Sequence, residues 1–97
     1  MDYLVKFNLS PEDVTKIRKR FNKDIVSKFQ IMEDNVTKVL DYLSTLGINS
    51  FKNLILERPD ICFMDLDVLK EKTNKIDSGL LKFVFENEVS NLMNFDI

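Results

Sequence analysis

The segment from Val36 to Ile61, VTKVLDYLSTLGINSFKNLILERPDI, constrains this chain more than any other, because two helices and their two stops are written there in order. Val36, Val39, Leu40, Leu43 and Leu46 recur at spacings of three and four, which places one apolar stripe on a helix of about three turns. Gly47 ends it, since glycine reaches without steric cost the left-handed conformation that helix C-termini commonly need. Asn49 and Ser50 follow as candidate N-caps, with side-chain oxygens able to accept from the free N–H groups of a new helix. Phe51, Leu54 and Ile55 supply the buried face of that helix. Pro59 lacks an N–H and disfavours helical geometry at Arg58, so the second helix is expected to finish near Glu57. The unit is a helical hairpin with a short link.

Around this hairpin the same grammar recurs. Tyr3, Leu4 and Phe7 mark a short amphipathic turn or two. Ser10-Pro11-Glu12-Asp13 is a strong helix start: a serine N-cap, proline at the first helical position, and two acids against the positive helix end. The helix it opens is expected to bury Val14, Ile17 and Phe21, with a short turn of Ile25, Val26 and Phe29 packed back on the core. Glu33, Asp34 and Asn35 are expected to supply the cap and the first-turn acids of the helix of the organising segment. Beyond Pro59, an apolar knot at Ile61 to Met64 precedes a helix marked by Leu66, Leu69, Thr73 and Ile76, capped by Asp65 and broken by Asp77-Ser78-Gly79. In the last segment Leu81, Phe83 and Phe85 alternate as a strand would, yet Leu80, Phe83, Val84, Asn87 and Leu92 fit a helix. A lone strand has no partner elsewhere, so helix is the expectation. Asn94 to Ile97 reads as a frayed tail.

Two glycines, two prolines and 44% hydrophobic content suit one folded domain over residues 1–97. The fold class expected is all-α, a small array of stacked helical hairpins with about five to seven helices, short turns included. No apolar run approaches the roughly 20 residues that span a bilayer, and no signal peptide is evident, so a cytoplasmic protein without membrane contact is expected. Cys62 stands alone between Ile61 and Phe63, which favours a buried thiol.

Short internal matches suggest repetition with a period of about 30 to 39 residues. Asp2-Tyr3-Leu4 matches Asp41-Tyr42-Leu43, Leu9-Ser10 parallels Ile48-Asn49, Lys23-Asp24-Ile25 parallels Pro59-Asp60-Ile61, and Phe83-Val84-Phe85-Glu86 resembles Leu54-Ile55-Leu56-Glu57. On this reading residues 1–35 are a degenerate unit, 36–76 the clear one, and 77–97 a closing helix and tail. The run Leu43-x-x-Leu46-Gly47-Ile48, then Leu54-Ile55, Pro59-x-Ile61, Leu66 and Leu69 resembles the repeat of the mitochondrial transcription termination factor (mTERF) family. That resemblance implies two α-helices and a short 3₁₀ turn per unit, stacked into a curved solenoid whose basic inner surface binds duplex nucleic acid. Asn8 and Lys23 stand in the first copy where the repeat has glycine and proline.

Function is harder to read than fold. The chain has no histidine, the commonest general base and metal ligand, and no phosphate-binding glycine loop, nucleophile elbow or cysteine cluster. Asp65-x-Asp67 lacks the remaining ligands of a calcium loop, and Glu86 and Glu88 fall on different sides of a helix, where solvation is expected for both. The expectation is a non-catalytic protein without cofactor or metal. The net charge of −2 hides an uneven distribution: Lys16, Arg18, Lys19, Arg20, Lys23 and Lys28 crowd one segment with only Asp24 against them. Lys16, Lys19, Arg20 and Lys23 line up at i, i+3, i+4 and i+7 on one face of the helix that Ser10 opens. These six residues are the candidate binding site. A protein partner is slightly favoured, with the chain as adaptor, regulator or inhibitor of a machine that handles nucleic acid. Direct nucleic-acid binding through the basic stripe is the alternative, and a monomer or weak homo-oligomer through Leu80, Phe83, Val84 and Leu92 is the expected state.

Overall fold

A computed structural model describes all 97 residues, and every regular element in it is helical. A 3₁₀ helix, Asp2–Phe7, is followed by α1 (Pro11–Arg20), α2 (Lys23–Ile31), α3 (Glu33–Thr45), α4 (Lys52–Glu57), α5 (Pro59–Cys62), α6 (Leu66–Thr73) and α7 (Ser78–Asn87), and the chain closes with a second 3₁₀ helix, Val89–Phe95. These nine segments exceed the five to seven expected, because the apolar turns close as separate short helices. No helix is long and apolar enough to cross a membrane.

Two rows organise the array. Helices α1, α4 and α7 stand side by side, α4 in the middle, while α3 packs on α6, α2 and α5. The six-residue α4 also touches α5 and the C-terminal 3₁₀ helix, so the shortest helix of its row is the hub. Its Leu54 and Ile55 are fully buried. Polar contacts reach it from both sides: Asp13 and Arg20 of α1 meet Lys52 at 3.1 Å and the Leu56 carbonyl at 2.9 Å, and Asn53 donates to the Glu86 carbonyl of α7 at 3.1 Å.

The stops follow backbone chemistry. After α3, Gly47 has φ 90°, its N–H donates to the Ser44 carbonyl at 3.0 Å and the Ile48 N–H to the Leu43 carbonyl at 3.3 Å. This pair of bonds is the Schellman closure, with Leu43 and Ile48 both fully buried beside it. Asn8 does the same work at the end of the first 3₁₀ helix, with φ 67°. Asparagine tolerates that region far better than most residues, so the turn closes there without a glycine.

The burial pattern carries a register that the sequence matches blur. Phe51 to Glu57 and Leu81 to Asn87, thirty positions apart, have identical sequences of buried, half-buried and exposed residues. Arg58 and Glu88, which end the two helices, share φ near −136° and −135° with ψ 62° and 53°. Val39 and Leu69, Leu43 and Thr73, and Cys62 and Leu92 are buried pairs at the same spacing. The sequence match of Leu54 with Phe83 is therefore one residue out of register, and α6 groups with α7 and the last 3₁₀ helix as α3 groups with α4 and α5.

Several local expectations are corrected. Neither Asn49 nor Ser50 caps α4; the cap position is Phe51, with no side-chain acceptor, and the Asn49 N–H instead donates to Glu86 Oε2 at 3.0 Å. Asn35 lies inside α3, where its Nδ2 bridges the carbonyls of Cys62 and Met64 at 3.2 and 2.9 Å and ties α3 to the end of α5. Asp77-Ser78-Gly79 starts α7 as well as ending α6: Asp77 accepts from the Leu80 N–H at 3.1 Å. On α7 the buried residues are Leu81, Val84 and Phe85, which leaves Leu80 and Phe83 outward. The tail is held, not frayed. Lys72 Nζ donates to the Asp96 carbonyl at 2.6 Å and Arg58 Nη2 to the Ile97 carbonyl at 2.7 Å. Arg58 also chelates Asp60 at 3.1 and 3.0 Å, and the bond to that carboxylate is the main reason its guanidinium is held above its ordinary pKa.

Candidate interaction surface at the elbow of α1 and α2

The candidate cations sit around a corner in the chain. Ser10 accepts from the Asp13 N–H and Asp13 from the Ser10 N–H, both at 3.1 Å, a capping box with Pro11 as first helical residue. Bonds from the Ser10 backbone and from Lys52 hold the Asp13 carboxyl below its ordinary pKa. At the other end Arg18, Lys19 and Arg20 lie in the last turn, where cations favour the negative helix terminus. Phe21 then turns extended, at φ −101° and ψ 153°, and Asn22 caps α2 by accepting from the Ile25 N–H at 3.0 Å.

This corner breaks the expected stripe. Lys23 is the first residue of α2 and cannot continue the face of Lys16 and Lys19. Phe21 is half-buried at the corner instead of in the core, and α2 is a full nine-residue helix that buries only Phe29 completely.

The six cations divide by what they touch. Arg20 Nε is bound to the Leu56 carbonyl at 2.9 Å, and Lys28 Nζ lies 5.6 Å from the centre of the Phe63 ring. Arg18 Nη2 is 3.5 Å from Asp2, a solvent-exposed pair that contributes little and is easily exchanged. Lys16, Lys19 and Lys23 are exposed and without an acidic partner. Arg18 and Lys23, from the two sides of the corner, line one cleft of about 330 Å³ together with Phe21, Val26 and Ser27. The cleft thus offers two cations, a hydroxyl, and the half-buried faces of a phenylalanine and a valine.

Phe21, Val26 and Ser27 were outside the candidate set, which counted only charge. The signal that finds them is Asn22 before Lys23-Asp24, an N-cap with an acid in the following first turn; it ends α1 at Arg20 and folds the next apolar residues back.

The other chemically suggestive groups are absorbed by the fold. Cys62 is completely buried, and burial first, then the nearby Asp60, pushes its thiol up to about 12. Tyr3 is raised by burial and by the charges of Cys62 and Glu33, and its hydroxyl donates to the Phe29 carbonyl at 2.6 Å. Glu86 is not a solvated acid: burial raises its pKa, but the Asn49 N–H and Lys82, 3.1 Å away, outweigh that and hold it below the usual range. Asp65 accepts from the Val68 N–H at 3.3 Å as the cap of α6, and Asp67 stays exposed. No family model, curated protein or solved structure significantly matches this chain.

Proposed function

We propose that this chain is a non-catalytic helical interaction module that binds a protein partner, as an adaptor, regulator or inhibitor, through the elbow of α1 and α2. The observation that carries the reading is the composition of the cleft. A phosphate backbone asks for a row of free cations, whereas Arg18 and Lys23 flank Phe21, Val26 and Ser27, a mixture that fits a polypeptide segment with acidic and apolar side chains. The contacts of Arg20 with the Leu56 carbonyl and of Lys28 with the Phe63 ring, both made at the surface, support the same choice. The thirty-residue spacing, with two helices and a short turn in each unit, supports the resemblance to the mTERF repeat as architecture.

The test is capture of the partner from the source cell with the wild-type chain and with an Arg18→Glu, Lys23→Glu double variant, each after nuclease treatment. Both residues are exposed, so the variant keeps its helical circular dichroism. We expect one protein retained by the wild type after nuclease and lost by the variant. Equal retention by the variant, or loss of capture on nuclease treatment, overturns the reading. The second reading, direct nucleic-acid binding, draws on the three unpaired lysines Lys16, Lys19 and Lys23 and is separated by salt dependence.

A further inference from the structure

A second cleft opens where the end of α6 meets the closing 3₁₀ helix. Lys72, Lys75, Ile76, Asn94, Phe95 and Asp96 line about 320 Å³ there, and it shares no residue and no helix with the elbow. Its walls are set by the fold. The Ile76 N–H donates to the Thr73 carbonyl at 3.1 Å, and Asp96, at φ 62°, closes the last 3₁₀ helix with its N–H on the Met93 carbonyl at 3.1 Å. Ile76 and Phe95 are half-buried against the core.

The chemistry of this cleft repeats that of the elbow. Lys72 and Lys75 stand for Arg18 and Lys23, half-buried Phe95 for Phe21, half-buried Ile76 for Val26, and exposed Asn94 for Ser27. In each cleft one cation is paired with an exposed aspartate at the outer end of a terminal 3₁₀ helix: Arg18 with Asp2 at 3.5 Å, Lys72 with Asp96 at 3.4 Å. Lys72 Nζ also donates to the Asp96 carbonyl at 2.6 Å. The other cation, Lys23 or Lys75, is exposed and makes no ion pair.

We propose that this C-terminal cleft binds a short polypeptide segment in which an acidic side chain adjoins an apolar one. The ligand class rests on the reading given for the elbow, whose chemistry recurs here. Charge complementarity selects it: Lys75 is free to take a carboxylate, and the exposed Asn94 amide can donate to a peptide carbonyl. Ile76 and Phe95 give the neighbouring apolar side chain a surface to cover. The exposed Asp96 carboxylate opposes a continuous run of phosphates, whereas spaced acidic side chains avoid it. A space of this size is at the small end of ligand sites, so it takes one or two side chains and not a folded surface. The Lys72–Asp96 ion pair is weak enough for a ligand carboxylate to exchange with Asp96 at little cost. With the elbow also occupied, the chain joins two segments, which makes it an adaptor.

Amide NMR of the isotope-labelled chain, titrated with the peptide acetyl-Glu-Leu-Glu-Phe-amide, tests the site. The signals of Lys75, Ile76, Asn94 and Phe95 should move and saturate, and the same peptide with glutamine for glutamate should leave them still. Lys75→Glu, at an exposed position that leaves the fold intact, should weaken binding there about 5-fold or more. Lys38→Glu, an equal change of net charge at an exposed position outside both clefts, should leave it unchanged. No movement at Lys75, Ile76, Asn94 and Phe95, movement indifferent to Lys75→Glu, or equal weakening by Lys38→Glu overturns the proposal. Phe21, Lys23 and Ser27 report on the elbow in the same spectra. A silent elbow beside a responding C-terminal cleft would reject the elbow's reading and support this site; a responding elbow beside a silent C-terminal cleft would reject this site alone.

Discussion

At Gly47 the backbone alone decides what residue is allowed. Its φ of 90° is strained for any L side chain, yet a Cβ built there meets nothing within 4 Å, so Gly47→Ala should cost about 1 kcal/mol through backbone strain without a clash. Gly47→Asn should cost less, because Asn8 already holds φ 67° at the comparable turn; urea melts of the two variants check the order. Glu86 makes a prediction in pH. Its carboxyl is held below an ordinary value of 4.5 in the folded chain, so its contribution is fully present above that value and is lost as the pH falls through the folded pKa. Glu86→Gln should therefore lower stability by about 1 kcal/mol at neutral pH, and the gap from wild type should close progressively below pH 4.5 in denaturation series. Gly47 was legible in the sequence because its effect is local. Glu86 was not: its partners Asn49 and Lys82 come from a turn 37 residues away and from its own helix, and only the stacking of α7 on α4 brings the turn to it.

Helix starts were readable where the cap is a local motif, and misread where tertiary packing replaced it. Ser10, Asp65 and Asp77 all cap by accepting an N–H three residues on. Asn22 does so too, and overlooking it turned a corner into an apparent basic stripe. Asn49 and Ser50 look like caps but stand before a helix whose place is fixed by Leu54, Ile55 and contacts from α1 and α7. Ser10→Ala removes half of a reciprocal capping box and should destabilise the chain by about 1 kcal/mol. Ser50→Ala should leave stability within about 0.5 kcal/mol of wild type, since no side-chain bond caps α4; thermal melts distinguish the two. On α7 the period-3.6 reading chose the right structure and only part of the buried side: Val84 is buried, but Leu80 and Phe83 face outward. Leu80 and Phe83 are as apolar as Leu81 and Phe85, and hydrophobic spacing cannot say which pair meets the core once both sides of a helix are apolar.

For the molecule as a whole, α1, α4 and α7 form a row of three helices whose ends differ in chemistry. The α1 end carries the elbow with Arg18 and Lys23, and the α7 end carries the uncharged side with Leu80 and Phe83. Counting charges along the chain located the basic segment but could not weigh it, because what each cation touches depends on distant elements: Leu56 for Arg20 and Phe63 for Lys28. The central claim is that the fold leaves too few free cations in one row for the elbow to act as a phosphate-binding strip. A titration of duplex DNA across salt concentrations from about 50 mM upward counts phosphate contacts directly. Of the six candidate cations only Lys16, Lys19 and Lys23 make no contact within the fold, so binding should be weak and the log-log slope no steeper than about −3. Tight binding with a slope of about −4 to −5, which needs four to six phosphate contacts, would contradict the account and return the elbow to nucleic acid.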